Sequence, residues 1–168
     1  MCGSDDHADE TPRVVRYGPD DDDLEHVVDD PASGGTYVLV FDLATPTSVE
    51  VGALGTHEFP AGEYAYVGSA FGAGGFGRAE RHRRKLDEAS GTVHWHVDAL
   101  TTRPETSFVV AYLLPDVDLE CVLARRLPAG PLDGFGSSDC DCRSHLSSVD
   151  GEGVELTIRT TIGSVDSP

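Results

Sequence analysis

The chain has 168 residues and a formal net charge of −18, which comes from 30 acidic residues against 12 basic ones. That length gives room for one domain of ordinary size and excludes two domains, each with a hydrophobic core of its own. Four cysteines are too few for a secreted disulfide framework, and no apolar stretch approaches the roughly 18 residues that span a membrane. The first residues also lack the charged and apolar regions of a secretory signal. We therefore expect a reduced, cytoplasmic protein with no membrane partner.

The amino-acid usage is unusual, because asparagine and glutamine are absent and Lys85 is the only lysine. A carboxylate-rich surface stays hydrated in concentrated salt, where a Debye length of about 3 Å at 1 M screens its self-repulsion. The composition is therefore typical of a halophilic, acidic protein. An acidic protein that avoids nucleic acid is the alternative, and charge alone does not decide between the two.

Residues 1–33 contain eleven acidic residues and two arginines. With so few apolar side chains, this segment cannot bury enough surface to offset the entropy of ordering. The sequence therefore predicts a disordered acidic tail, with at most a short helix near Leu24. We place the folded domain at residues 34–160 and a short C-terminal tail at residues 161–168.

Apolar patterning predicts one α+β domain between these tails. The predicted strands cover residues 36–43, 49–54, 57–59, 63–68, 106–114 and 154–158. The predicted helices cover residues 78–89, 94–101 and 119–127, the last one capped by Asp118 and ended by Pro128. Residues 69–77, rich in glycine, and residues 130–146 are predicted loops. This order indicates a small antiparallel or mixed sheet flanked by helices.

Two tyrosine–glycine signatures precede a basic run. The first is Gly35-Thr36-Tyr37, the second is Tyr66-Val67-Gly68, and the basic run covers residues 78–85. Two phenols, an arginine and a histidine, joined by a carboxylate downstream, are the groups needed to cut a phosphodiester with one divalent metal.

The chain also contains His-Trp-His at residues 94–96 and Phe-Gly-Ser-Ser-Asp-Cys at residues 135–140. Together with the two signatures, these motifs resemble the GIY-YIG nuclease family, and within it a compact archaeal branch. The resemblance covers about residues 35–147. It implies a GIY-YIG-like single domain and a metal-dependent endonuclease that hydrolyses DNA in repair or processing. The family's catalytic positions fall on Tyr37, Tyr66, Arg78, His82 and Glu120.

These residue types suit the cleavage of a phosphodiester. Glu120 would hold one Mg²⁺ or Mn²⁺, which prefer hard oxygen ligands. The Arg78 guanidinium matches two phosphate oxygens at once. Tyr66 or Tyr37 would orient or deprotonate the attacking water if its pKa fell from about 10, and His82 would relay the proton.

Each of these residues also has a purely structural interpretation. A tyrosine at the end of a strand often packs in the core with its hydroxyl bonded. Arg78 and His82 could simply solvate a helix face, and Glu120 could stabilise a helix dipole.

Two features depart from the family pattern. Tyr37 and Tyr66 are 29 residues apart, so an insertion separates the two signatures. The asparagine that many members carry late in the domain cannot exist in this chain. Ser137, Ser138 or Asp139 would have to take its place.

A second cluster offers metal ligands of a different kind. Cys140, Cys142 and His145 form a Cys-x-Cys-x₂-His pattern, and His94 and His96 lie upstream. Thiolate and imidazole are ligands that Zn²⁺ prefers, so the pattern suggests a zinc site, although its spacing is not that of a standard zinc finger and it lacks a fourth ligand. Bound zinc would be a structural clamp that closes the C-terminal loop on the core. Two ordinary thiols or a reversible disulfide are the alternatives.

Nucleic-acid binding must overcome the acidic surface, and residues 78–85 form the only strongly basic element. The predicted contacts are Gly68, Ser69, Arg81, Arg84 and Lys85. Trp95 is expected to anchor the junction with the C-terminal loop in the core, although an exposed tryptophan could stack a base.

DNA is the predicted partner, RNA is an alternative, and a DNA-repair enzyme is a further predicted partner because the chain has no separate reading module. Two rival functions stay open at this point. One is a nuclease-like fold that binds nucleic acid without cutting it. The other is a zinc-stabilised interaction domain whose tyrosines are core residues.

Overall fold

The fold is built around a five-stranded antiparallel sheet. The computed structural model describes residues 12–165. The strands of this sheet are β1 Val15–Tyr17, β2 Gly35–Leu43, β5 Gly62–Ser69, β6 Thr106–Pro115 and β7 Leu146–Val149. Their order is β1-β6-β2-β5-β7, so β2 lies at the centre between β6 and β5. The predicted hairpin is confirmed as β3 Thr47–Glu50 and β4 Thr56–Phe59, which pair with each other.

Within the described residues, four α-helices cover the two faces of the sheet. They are α1 Gly77–Glu88, α2 Asp98–Thr101, α3 Glu120–Arg126 and α4 Gly151–Val165. One hydrophobic core joins the sheet to α1 and α2, and a second joins it to α3 and α4. The predicted α+β fold is therefore confirmed. None of the helices in residues 12–165 has both the length and the apolarity needed to cross a membrane.

The central strand β2 contributes side chains to both cores. Tyr37, Leu39 and Phe41 lie in the core with α1, whereas Val38 and Val40 lie in the core with α3 and α4. All five side chains are at most 3% exposed. Successive side chains of a strand point to opposite faces, and here both faces are covered. The strand therefore reads as a continuous apolar run.

The ordered fold starts earlier than the sequence predicted. Strand β1 pairs with β6, and Tyr17 is 1% exposed. Arg83 of α1 explains this order, because its guanidinium lies 4.8 Å from the centre of the Tyr17 ring. It also donates hydrogen bonds of 2.6–3.1 Å to the carbonyl oxygens of Gly18, Pro19 and Asp21. The predicted disordered tail is wrong for residues 12–33, and the rest of that tail lies outside the described residues.

Helix α4 occupies the region where we predicted an edge strand at 154–158 and a tail from residue 161. Val154, Ile158 and Ile162 recur every four residues, are at most 5% exposed and complete the second core. The strand prediction is wrong because a five-residue window cannot separate the helical period from an alternating one. The edge position next to β5 is taken by β7 instead. Residues 166–168 of the predicted tail lie outside the described residues.

The helical assignment of α4 predicts different costs for two nearby substitutions. Ile158→Ala is expected to lower the free energy of unfolding by about 2–4 kcal/mol, because it opens a cavity between α4 and the sheet. Leu156 is 68% exposed, so Leu156→Ala should change stability by less than about 0.5 kcal/mol. Chemical denaturation measures both values. Equal losses would place the two side chains on one buried face, as in a strand, and would contradict the helix.

Candidate functional site

The pairing of β2 with β5 brings the two signature tyrosines together. Tyr37 lies opposite Gly68, and Leu39 lies opposite Tyr66, so both phenol rings project from the same face of the sheet. Their centroids are 6.4 Å apart. A Cβ atom on Gly68 would lie only 2.3 Å from Cζ of Tyr37, so the glycine of the second signature makes room for the first tyrosine. The two strands pair directly although the β3–β4 hairpin is inserted between them.

His82 of α1 connects Tyr37 to a buried carboxylate that the sequence analysis missed. The Tyr37 hydroxyl oxygen lies 3.1 Å from His82 Nε2, and Asp98 Oδ1 lies 3.6 Å from His82 Nδ1. Asp98 is fully buried. Its Oδ2 accepts hydrogen bonds of 2.9 Å from two backbone N–H groups of the preceding turn, and its Oδ1 lies 3.0 Å from Lys85 Nζ. A charged carboxylate is thus held beneath the imidazole.

The protonation states of this pair follow from burial and local charge. Burial lowers the pKa of His82 to about 4, although the Asp98 carboxylate acts in the opposite direction. Burial disfavours the charged form of Asp98, but two backbone N–H donors and Lys85 outweigh it and lower the pKa of Asp98. At neutral pH, a neutral imidazole therefore faces an ionised carboxylate, which favours a proton on Nδ1. Nε2 is then free to accept the hydrogen bond of the Tyr37 hydroxyl.

Both signature tyrosines stay protonated at neutral pH. Burial raises the pKa of Tyr37 and of Tyr66 well above the usual value of 10, and the positive charge of Arg78 offsets only part of this effect. The positive charge of the protein's own residues therefore does not bring either pKa below its usual value. The Tyr66 hydroxyl has no hydrogen-bond partner in the described part of the chain. It is available to a bound molecule as a neutral phenol.

The glycine-rich turn before α1 positions Arg78. Its Nη1 donates a hydrogen bond of 3.1 Å to the Ser69 carbonyl oxygen, and its Nε donates one of 3.4 Å to the Ala73 carbonyl oxygen. A Cβ atom on Gly72 would lie 2.1 Å from Nη2, so the side chain occupies the space that this glycine leaves open. The turn therefore holds the guanidinium rather than merely connecting two elements.

Thr36 determines where α3 begins, and thereby where Glu120 lies. Its hydroxyl accepts a hydrogen bond from the Leu119 N–H and donates one to the Val117 carbonyl oxygen, both at 2.9 Å. Asp118 was predicted to cap this helix, but the N-cap residue is Leu119 and no side chain caps it. The polar centre of the Gly-Thr-Tyr signature thus fastens α3 to β2.

The predicted catalytic residues line one cavity of about 590 Å³. They are Tyr37, Tyr66, Arg78, His82 and Glu120. Phenols from two strands, an arginine and an imidazole from α1, and a carboxylate from α3 therefore share one space. Ser138 and Asp139, two of the three residues suggested in place of the asparagine, also line the cavity, whereas Ser137 is buried and does not.

The predicted nucleic-acid contacts divide into two groups. Arg81 and Arg84 are exposed on α1, and Ser69 is half-buried at the cavity. Lys85 is held inside the protein, because its Nζ pairs with Asp98 and donates a hydrogen bond of 2.8 Å to the Thr92 carbonyl oxygen. Gly68 is covered by the Tyr37 ring, so this glycine leaves room for the ring and does not itself face a nucleic acid.

A compact group of three cysteines and one histidine adjoins the cavity and could hold a metal ion. It consists of Cys121, Cys140, Cys142 and His145, whose ligand atoms all lie within 4.8 Å of one another. Burial and the two neighbouring thiols raise the pKa of Cys142 to about 12, so its thiol keeps its proton unless a cation displaces it. We call this group the Cys₃His cluster.

The His-Trp-His segment does not join this cluster. His94 is exposed, and His96 accepts a hydrogen bond of 2.9 Å at Nδ1 from the Gly136 N–H. The prediction of His94 and His96 as zinc ligands is therefore wrong. Trp95 is 56% exposed, so the prediction that it anchors this junction in the core is wrong as well. The buried side chains at this point are Val97 and Asp98.

Sequence reasoning missed Asp98 and Cys121 for different reasons. Asp98 gave a weak signal, since it is a single acidic residue inside the predicted helix 94–101 and belongs to none of the motifs. Cys121 gave a stronger one, because it follows Glu120 directly and supplies the fourth ligand that the Cys-x-Cys-x₂-His pattern lacked. Its partners are 19 or more positions away, so only the packing of α3 against the C-terminal loop shows that they meet.

These features define an α+β domain with a phenol-lined cavity beside a Cys₃His cluster. The chain belongs to the family described as Domain of unknown function DUF123, whose model matches residues 36–165. That range runs from β2 through α4 and contains the cavity and the cluster. Comparison with curated proteins gives no match, and comparison with solved structures gives none.

Because the pKa of His82 is low, we expect the folded protein to lose stability as the pH falls from about 6.5 to about 4. Between about pH 6.5 and about pH 4, the unfolded chain binds a proton at His82 that the folded chain excludes. The free energy of unfolding should therefore fall as the pH is lowered through this window, by on the order of 1–3 kcal/mol. Denaturant titrations at several pH values measure the slope.

His82→Gln provides the control, since an amide does not titrate in this range. The difference in stability between wild type and His82→Gln should shrink as the pH falls from 6.5 towards 4. A difference that stays constant over this range would contradict the assignment of a neutral, buried imidazole.

Proposed function

We propose that this chain is a metal-dependent endonuclease of the GIY-YIG type that hydrolyses phosphodiester bonds of DNA. The observation that carries the proposal is the convergence of two phenols, Arg78, His82 and Glu120 on one cavity. These groups come from distant parts of the chain, and ordinary core packing does not require them to share a space. They supply cationic, hydrogen-bonding and anionic partners for a phosphodiester and an attacking water.

Glu120 suits a hard divalent cation. Its side chain is 25% exposed, and in the described residues only its Oε1 is engaged, at 3.0 Å from His145 Nδ1. Asp118 and Asp139 line the same cavity and offer further oxygen ligands. When bound, Mg²⁺ or Mn²⁺ would polarise the phosphoryl group and favour an ionised water. The remaining roles fall to residues of the chain.

Each side chain has a role in water attack on phosphorus. Arg78 would hold two nonbridging phosphate oxygens through its planar fork, which the glycine-rich turn keeps in place. The Tyr66 hydroxyl would orient the attacking water as a neutral phenol. Tyr37 would accept a proton from that water while passing its own to Nε2 of the neutral His82, at 3.1 Å. Asp98 would then stabilise the imidazolium.

The charge distribution favours a nucleic-acid substrate at this cavity. Arg81 and Arg84 are exposed on the helix that carries Arg78, and the exposed Trp95 lines the cavity and could stack a base. We propose DNA as the substrate, with RNA as the alternative, and a DNA-repair enzyme as a partner that supplies sequence or structure recognition.

Tyr66→Phe should lower the rate of DNA cleavage at saturating substrate by at least about 100-fold, because it removes only the hydroxyl that orients water. DNA affinity should change by less than a few-fold. Labelled branched, flapped and plain duplexes, incubated with Mn²⁺ at high salt, measure both quantities.

Tyr112→Phe is the matched control, since Tyr112 is buried in the core on the opposite face of the sheet. Cleavage by Tyr66→Phe at the wild-type rate would show that Tyr66 only packs in the core and does not act in catalysis. A wild-type protein that binds these substrates and leaves all of them intact would refute the nuclease and favour the non-catalytic binding module.

We propose that the metal of the Cys₃His cluster is zinc. Three sulfur atoms and one imidazole nitrogen are a common ligand set for structural Zn²⁺, and thiolates on one tetrahedral zinc lie about 3.8 Å apart. The observed spread, within 4.8 Å, needs only a small contraction. All four ligands come from the protein, so this site would be structural, and catalysis would take place at the neighbouring carboxylate.

The purified protein should contain one zinc per chain, and a chelator should lower its melting temperature by several degrees or more. Cys142→Ser should lose the zinc and the stabilisation together, because Cys142 is a buried ligand. Asp133→Asn alters an exposed ion pair in the same loop and should keep both. A metal-free protein with an unchanged melting temperature would refute the zinc site.

A further inference from the structure

One imidazole joins the Cys₃His cluster to the cavity. His145 Nε2 lies 3.3 Å from Cys140 Sγ, and His145 Nδ1 lies 3.0 Å from Glu120 Oε1. The imidazole is 3% exposed, so neither nitrogen can rely on water for a partner. Its two ends therefore contact a thiol of the cluster and the carboxylate proposed to hold the catalytic cation.

The two sites also share a helix. Glu120 and Cys121 are consecutive residues at the start of α3, while the other three ligands come from the loop between residues 130 and 146. A metal in the cluster would therefore fasten the first turn of α3 to this loop. The loop is packed tightly, since a Cβ atom on Gly136 would lie 3.0 Å from Tyr66 Cε2 and 3.3 Å from His145 Cβ.

A metal bound at Nε2 fixes both the tautomer of His145 and the orientation of its ring towards Glu120. Coordination uses the lone pair of Nε2, so the neutral imidazole must carry its proton on Nδ1. The proton on Nδ1 then faces Glu120 Oε1, which lies 3.0 Å away. Without the metal, Glu120 still favours a proton on Nδ1, but no bond at Nε2 fixes the plane of the ring, so the imidazole can turn relative to the carboxylate.

We propose that the zinc cluster positions the catalytic carboxylate through His145, so that zinc occupancy determines the affinity of the cavity for Mg²⁺ or Mn²⁺. The proposal rests on the proposed function of Glu120. It makes His145 a positioning residue that acts on the cavity without contacting the substrate. The link also works in reverse, because a carboxylate that orients a histidine ligand strengthens zinc binding.

The forward direction is tested with His145→Cys, which supplies a fourth thiolate to the zinc but removes the nitrogen that faces Glu120. We expect one zinc per chain, and an Mn²⁺ dissociation constant raised about 10- to 100-fold. Titration of Mn²⁺ followed by electron paramagnetic resonance measures this without any cleavage assay. His26→Cys is the control for an added thiol, since His26 is exposed and does not line the cavity.

The reverse direction is tested with Glu120→Gln, which leaves all four zinc ligands unchanged. Zinc transfer to a chromogenic chelator should be about 10- to 100-fold more favourable than in wild type. Asp118→Asn, which removes a nearby carboxylate that does not contact His145, should retain zinc as wild type does.

The outcomes separate this proposal from the nuclease. Wild-type zinc retention in Glu120→Gln, or wild-type Mn²⁺ affinity in a zinc-loaded His145→Cys protein, would overturn the link. Absence of DNA cleavage by wild type would refute the nuclease, while a weakened hold on zinc in Glu120→Gln would still support the contact between the two sites.

Discussion

The antiparallel pairing of β2 with β5 is the constraint on which the cavity depends. This register places Tyr37 opposite Gly68 and two pairs away from Tyr66, so both phenols leave the sheet on the α1 face. A slip of one residue would turn every side chain of β5 to the opposite face and move Tyr66 to the other core. The absence of a side chain on Gly68 then lets the Tyr37 ring lie across β5. The insertion of the β3–β4 hairpin leaves this register intact because the hairpin pairs only with itself.

A second constraint fixes the position of α3, and with it Glu120, relative to β2. Thr36 precedes Tyr37 and points to the opposite face, where its hydroxyl holds the backbone at Leu119. One short stretch of β2 therefore places a phenol on one face and fastens the helix that carries Glu120 on the other. An isoleucine or valine at position 36 would keep the strand but leave the buried Leu119 N–H without its acceptor, which costs about 1–3 kcal/mol. The hydrogen bonds of the Thr36 hydroxyl therefore explain why the Gly-Thr-Tyr signature has a polar residue at its centre.

Whether a feature could be predicted from the sequence depends on how far apart along the chain its interacting residues lie. Strand β2 follows from local patterning, whereas the meeting of Tyr37 with Tyr66 was implied by the family resemblance, because an inserted hairpin separates the two residues along the chain. The order of residues 17–21 depends on contacts with Arg83, more than 60 positions away, and composition carries no trace of those contacts. The same holds for Cys121, whose role as a ligand exists only once α3 meets the C-terminal loop. The wrong prediction for α4 arose from too short a window on a four-residue repeat.

The basic run of α1 shows how an acidic protein can concentrate positive charge at one site. Arg83 and Lys85 are used inside the fold, so Arg78, Arg81 and Arg84 are left to face a ligand. At 0.1 M salt the Debye length is about 10 Å, and the net charge of −18 would repel a DNA backbone before these arginines could act. At 1 M salt the length falls to about 3 Å, so the repulsion is screened while contacts within the cavity persist. The proposed nuclease would therefore depend less on low salt for DNA binding than basic DNA-binding domains do.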